Sequence, residues 1–193
     1  MKKITPQTAV TKKKSWQEEL LLPPGVTAQL HGSVLKLTGA QGEIEKVFRY
    51  PFIGVLSEGN KIILTALRNG RRERTIIGSF AAHITNMIKG VQEPHTYTLK
   101  ICSGHFPMSV STSATEFTVK NFLGESVPRI ADVIPHVTIK VNDKEIIVKS
   151  VDKEAAGQMA ARIEQLCRIT NRDIRIFMDG IWIINKCGRN VAT

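Results

Sequence analysis

Two short stretches decide the fold: Lys61-Ile62-Ile63-Leu64 and Glu145-Ile146-Ile147-Val148. Each is an apolar, β-branched run of strand length that leads into a segment of helical period. Beyond the first, in Arg71 to Lys89, the residues Ile76, Phe80, Ile84 and Met87 recur at helical spacing and predict one apolar face. Gly90 then reads as the stop, with Lys89 as a cation in the last turn. Beyond the second, a helix is predicted from Lys153 to Ile169, with Ala156, Met159, Ala160, Ile163, Leu166 and Cys167 as its buried stripe. Asp152 is placed to cap that helix, and Glu154 in its first turn suits the helix dipole.

Working outward, the same order of elements precedes both runs. Leu35-Lys36-Leu37 leads to a turn ending Gly42-Glu43, and Phe117-Thr118-Val119-Lys120 leads to a turn ending Gly124-Glu125. The order implies a duplicated module. The fold class is therefore α+β, two tandem copies of a module of mostly antiparallel strands with one packed helix. Further strands are predicted at Thr96 to Ile101 and Met108 to Val110, and a hairpin joins Val137 to Val141 with Glu145 to Val148. Ile174 to Met178 and Ile181 to Ile184 flank Asp179-Gly180, a dipeptide that favours a type I′ hairpin turn. Gly90 and Pro94 interrupt both patterns near the junction. The chain divides into a basic arm at 1–15, a first module at 16–93, a second module at 94–186 and a short tail at 187–193.

Charge is the unusual feature of the composition. Against 17 acidic residues stand 27 Lys and Arg, a formal charge of +10 on 193 residues. So large an excess repels itself in a compact fold and points to a polyanionic partner, with nucleic acid first. Hydrophobic residues at 42% supply an ordinary core. No apolar run approaches the roughly 20 residues needed to span a bilayer, so no membrane partner is expected. The three cysteines, Cys102, Cys167 and Cys187, are odd in number and widely spaced, which argues against a disulfide framework and against a zinc finger. They read as semi-buried thiols.

The search for chemistry is negative. The chain lacks a Gly-rich phosphate loop, GxGxxG, GxSxG and HExxH. The five histidines show no metal-ligand spacing, and His83 reads as a satisfied structural histidine on the first helix. Ser103-Gly104-His105 sets a hydroxyl beside an imidazole in sequence only, which rarely gives nucleophile–base geometry. No catalytic residue, metal site or cofactor is expected. The basic clusters say more. Arg68, Arg71, Arg72 and Arg74 enclose the start of the first helix, where cations oppose the dipole and a phosphate would suit both the arginines and the free N–H groups. Arg162, Arg168, Arg172, Arg175, Lys186 and Arg189 punctuate a helix end, a loop and a hairpin, a distribution suited to one patch on a rigid base. Phe177 and Trp182 suit either the core or base stacking.

The segment Asn171-Arg172-Asp173-Ile174-Arg175-Ile176-Phe177-Met178-Asp179-Gly180-Ile181-Trp182 resembles the C-terminal signature of the large-subunit ribosomal protein six family, whose eukaryotic member is numbered nine. Asn86-Met87-Ile88-Lys89-Gly90-Val91, His105-Phe106-Pro107 and Asn121-Phe122-Leu123-Gly124-Glu125 resemble its archaeal and eukaryotic branch, in matching order. The resemblance implies two copies of one α/β module and no catalytic site. It implies binding of large-subunit rRNA chiefly through the second module, near the sarcin–ricin loop and the stalk base. The implied neighbours are other ribosomal proteins of the stalk base and, transiently, translational GTPases. The implied location is the cytoplasmic ribosome, with nucleolar assembly in a eukaryote. Arg172, Arg175, Asp179 and Gly180 carry over as signature positions, the last two as shapers of a turn. The first-module turn departs from the family's frequent Gly-Pro-Arg-Gly and reads Gly39-Ala40-Gln41-Gly42. The alternative to a ribosomal role is a free-standing RNA-binding module outside the ribosome.

Overall fold

The computed structural model describes residues 16–68, 70–173 and 175–191. The arm at 1–15 thus lies outside the described residues. The first module opens with β1 (Gln17–Leu21), passes through the meander β2 (Thr27–His31), β3 (Val34–Gly39) and β4 (Gly42–Val47), and continues with β5 (Ile53–Glu58) and β6 (Lys61–Ala66) into α1 (Arg71–Gln92). The second repeats the order: β7 (His95–Cys102), the meander β8 (Ser109–Thr112), β9 (Glu116–Lys120) and β10 (Arg129–Asp132), then β11 (Val137–Val141), β12 (Glu145–Ser150) and α2 (Lys153–Leu166). It then adds β13 (Gly180–Lys186) and β14 (Arg189–Asn190).

All strand pairs are antiparallel. The meanders form the sheets β2-β3-β4 and β10-β9-β8, and the remaining strands form β1-β6-β5 and β11-β12-β7-β13-β14. The two quoted runs lie inside corresponding sheets. Ile62 and Leu64 in β6, like Ile146 and Val148 in β12, are wholly buried. Leu35 and Leu37 in β3 match Phe117 and Val119 in β9, again wholly buried. A period of two on a one-sided sheet sends each such pair into its module's core, and that explains why the repeat is visible in the sequence. Two separate cores result, one under each helix.

The helices differ from expectation in detail. α1 buries Ile77, Ala81, Ile84, Met87, Ile88 and Val91, whereas Ile76 and Phe80 are only half-buried. Its apolar face is rotated by about a residue from the predicted stripe, with the Phe80 ring set edge-on to Phe48 at 5.1 Å. Nor does Gly90 stop the helix, which runs on to Gln92. Gly90 is buried, and a Cβ there would strike the backbone carbonyl of Val151 in the second module. Glycine is thus needed for close approach and not for helix termination. α2 ends at Leu166 instead of Ile169, and Leu166 is half-buried. The Asp152 cap is as expected, its carboxylate accepting from the Glu154 N–H at 2.9 Å.

The modules are joined by specific contacts. Val151 packs against the first core. Glu154 pairs with Lys46 and, at 2.9 Å, with Nδ1 of His83. Lys153 Nζ donates to Asn86 Oδ1 at 3.3 Å. Lys46 first, then His83, holds the Glu154 carboxyl below its usual range against the opposing effect of burial. The turn Gly39-Ala40-Gln41-Gly42 packs against the end of α1, with Gln41 N–H donating to Val91 O at 3.0 Å. Gly39 lies so close to Val91 that a Cβ would meet its carbonyl oxygen at 2.8 Å.

Candidate nucleic-acid interface

The hairpin expected around Asp179-Gly180 does not form. Gly180 begins β13, which pairs with β7 from Gly180↔Cys102 to Lys186↔Tyr97 and then with β14. Residues 175–179 are not strand. Instead, Asp173 organises a tight turn: its carbonyl accepts from Ile176 and Phe177 N–H at 3.1 and 2.9 Å, and its carboxylate accepts from Arg175 N–H at 2.9 Å. Long-range partners override the local turn preference of Asp179. Its side chain is buried and accepts from the Gly104 and His105 backbone N–H groups, the latter at 3.0 Å, while Oδ2 lies 2.6 Å from Nδ1 of His105. Burial pushes this carboxyl up, but the His105 and Gly104 contacts together outweigh it and hold it below its ordinary value. Asp179 therefore shapes the 103–105 turn and ties it to the signature loop.

On that tie rests a stack. The His105 ring lies 4.9 Å from the Phe177 ring, and the Arg172 guanidinium lies 4.9 Å from the centre of the same Phe177 ring. Phe177 is half-buried, while Trp182, Ile176 and Met178 are exposed. Arg168, Arg172 and Arg175 are exposed around this end of the second module. Arg175 is drawn into an ion pair with Asp173 at 2.9 Å, which holds that carboxyl below its usual range. Arg162 is exposed on α2.

Sequence reading missed Arg129. On β10 it forms a two-pronged pair with Glu125 at 2.6 and 2.8 Å, lies 4.3 Å over the Phe122 ring, and donates to the carbonyls of Leu166 and Arg168 at 2.7 and 3.2 Å. It thus satisfies backbone acceptors at the C-terminal end of α2, where a cation also suits the dipole. The spacing Glu125 to Arg129 was the available signal, but this part of the chain is a 3-10 turn leading to a strand. Its pairing through an extended chain has no periodic signature.

The expected single C-terminal patch is divided. β13 runs for seven residues between its two ends, so Lys186 and Arg189 lie about 20 Å from Gly180 and the signature loop. They flank the Cys187-Gly188 turn beside the start of β7, at the junction of the modules. The basic set of the first module is also remote. α1 has 22 residues and is about 33 Å long, and its C-terminal end is the one at the junction. Arg68, Arg71, Arg72 and Arg74 therefore surround its far end, where all four are exposed. Arg68 lies 3.9 Å over the Phe52 ring and Arg74 lies 4.7 Å over the Trp16 ring. The helix start itself offers less to an anion than expected, because the Glu73 carboxylate folds back against Gly70, the residue before the first turn. A carboxylate of the chain's own thus lies near the helix start, to which an incoming phosphate would also be drawn.

Among the described residues no group of His, Cys, Asp and Glu is arranged to hold a metal. Burial pushes the Cys167 thiol up to about 11, far from a reactive thiolate. No helix of the described residues is long and apolar enough to cross a membrane.

The fold is a duplicated α+β scaffold that carries exposed arginines on its loops. Comparison with known proteins makes this specific. The family profile of ribosomal protein L6 matches residues 22–94 and 106–180, one copy on each module. The large ribosomal subunit protein uL6 of Methanocella arvoryzae is 38% identical over 169 residues, covering 87% of this chain and 96% of the relative. That of Nanoarchaeum equitans is 40% identical over 181 residues, covering 90% and 94%. That of Methanothrix thermoacetophila is 36% identical over 165 residues, covering 86% and 94%. The chain belongs to the ribosomal protein L6 family, and is a ribosomal protein and not an enzyme.

Proposed function

We propose that this chain is a structural constituent of the large ribosomal subunit that binds large-subunit rRNA, chiefly through the far end of its second module. The observation that carries the reading is the loop 168–175, whose arginines are exposed beside a stack anchored by buried Asp179. A preorganised cationic surface neutralises backbone phosphates without first ordering its own side chains. Recognition would follow the folded shape of the RNA more than base edges. The family resemblance supports a position near the sarcin–ricin loop and the stalk base, with other stalk-base proteins as neighbours and translational GTPases passing close by. It also supports assembly in the nucleolus if the source is a eukaryote, and work in the cytoplasmic ribosome. Arg68, Arg71, Arg72 and Arg74 would serve a separate RNA contact at the far end of the first module.

The test is an Arg172→Ala/Arg175→Ala variant, assayed for binding to deproteinised large-subunit rRNA and for incorporation into large subunits. Affinity should fall, and the slope of log affinity against log salt should shrink by roughly one unit for each phosphate that is no longer neutralised. Unchanged binding and incorporation at raised salt would remove the basis of this assignment.

A further inference from the structure

The division of the basic residues leaves Lys186 and Arg189 apart from the arginines that sequence proximity grouped with them. The structure supplies other companions. The Cys187-Gly188 turn forms one wall of an open cleft of about 760 Å³ between the modules, shared with Lys89, Gln92 and Glu93 of the first module and Lys153 of the second. Lys186 and Arg189 face each other across the ladder at this turn. Lys89 and Lys153 line the cleft, and Lys186 and Arg189 flank the turn that forms its wall, with Glu93 among the lining residues and the Asp152 cap close by. We propose that this inter-module cleft is a second RNA-backbone groove, in which Lys89, Lys153, Lys186 and Arg189 hold phosphates so that one RNA strand is gripped by both modules. The inference rests on the RNA-binding reading above and extends it to a site remote from the signature loop.

Three features support a phosphate chain as the occupant. Contacts between the modules hold the walls of the cleft together: Lys153 to Asn86, and Gly90 against Val151. Its turn wall is fixed too, with Cys187 N–H donating to Thr96 O at 2.9 Å and Gly188 N–H to Asn185 Oδ1 at 2.8 Å. A groove held in this way spends little of its binding energy on ordering itself. The negative end of the α1 dipole points here and would oppose an anion, but three carbonyls near that end already have donors. Asn86 O is satisfied by Nε2 of His95 at 3.0 Å, Lys89 O by Glu93 N–H at 2.8 Å, and Val91 O by Gln41 N–H at 3.0 Å. The polar side chains of Asn86, Gln92 and Thr96 complete the lining and suit sugar and phosphate oxygens better than an apolar ligand.

The experiment uses the full chain and deproteinised large-subunit rRNA. In a Lys89→Gln/Lys153→Gln/Arg189→Gln variant, affinity should fall at least about tenfold and the salt slope should shrink by about three. Cys187, half-exposed on the cleft wall, gives a second reading that needs no change in the cleft itself. With Cys102→Ser as the background, its alkylation should slow at least about tenfold when rRNA is bound. If Arg172→Ala/Arg175→Ala weakens binding while the triple variant binds normally and Cys187 keeps its rate, the cleft assignment is overturned and the signature-loop reading survives. That same result would leave the cleft to a protein neighbour. If the unaltered chain does not bind the rRNA at all, the RNA reading fails with it.

Discussion

The two modules are built on the same core and put to different use. Ile62 and Leu64 occupy in one the places that Ile146 and Val148 occupy in the other, and Leu35 and Leu37 stand where Phe117 and Val119 stand. The first module ends its sheet at β1, whereas the second continues past the equivalent strand, β7, with β13 and β14. That addition carries the signature loop before β13 and the cationic turn after it. A duplicated core is conservative because each buried pair must fit its own sheet and helix. New binding surface is obtained by adding an element at an open sheet edge, where no core position has to change.

The contact between the modules offers the strongest way to break the comparison. Gly90→Ala would drive a methyl group into the Val151 carbonyl, which is backbone and unable to swing aside. The expected loss is about 3 kcal/mol, measured by urea unfolding. Undocking alone, with both modules still folded, would appear as two separate transitions, and an unchanged midpoint would refute the close approach.

Asp179→Asn tests what belongs to the second module alone. Removing the charge weakens the contacts to His105 and Gly104 and should cost about 2 kcal/mol at neutral pH. Because its partners hold the carboxyl below an unfolded value of about 3.9, Asp179 contributes stability above that pH and loses it as the pH falls through the lower folded value. The difference between variant and parent in urea midpoint should therefore shrink in strong acid. A difference that stays constant down to that range would contradict the assigned pairing.

Gly78→Ala sharpens the picture by the smallest step. Gly78 is exposed within α1, and a Cβ there meets nothing within 4 Å. Alanine should raise stability by about 0.5–1 kcal/mol through helix propensity. The opposite signs expected at Gly78 and Gly90, two glycines of one helix, separate propensity from packing. Equal signs would show that the helix end is not held as described.

Much of the architecture was legible because burial is periodic. Strands with one buried face and helices with one buried stripe write their period into the sequence, so β3, β6, β9, β11, β12 and both helices were readable. β1, β5 and β10 were not, because apolar and polar residues are mixed on both faces: Glu18 and Ser57 are half-buried while Leu21, Leu56 and Ile130 are exposed; nor was β2, with only Ala28 and Leu30 on its inner face. The site was legible only as a set of cations. Proximity in sequence grouped Arg172 with Arg189, and a single strand separated them. Local preference assigned Asp179 to its own turn, and a loop 74 residues away claimed it.

What the sequence by itself determined is the duplicated core, the surplus of positive charge and the family, since each follows from residue type and local spacing. Tertiary structure alone decided where the charges sit. Antiparallel pairing of β13 with β7 carries its two ends to opposite ends of the second module, and the close approach at Gly90 brings Lys89 beside Lys153. Distances between charges on different elements depend on how the chain returns on itself, and no local pattern encodes that path.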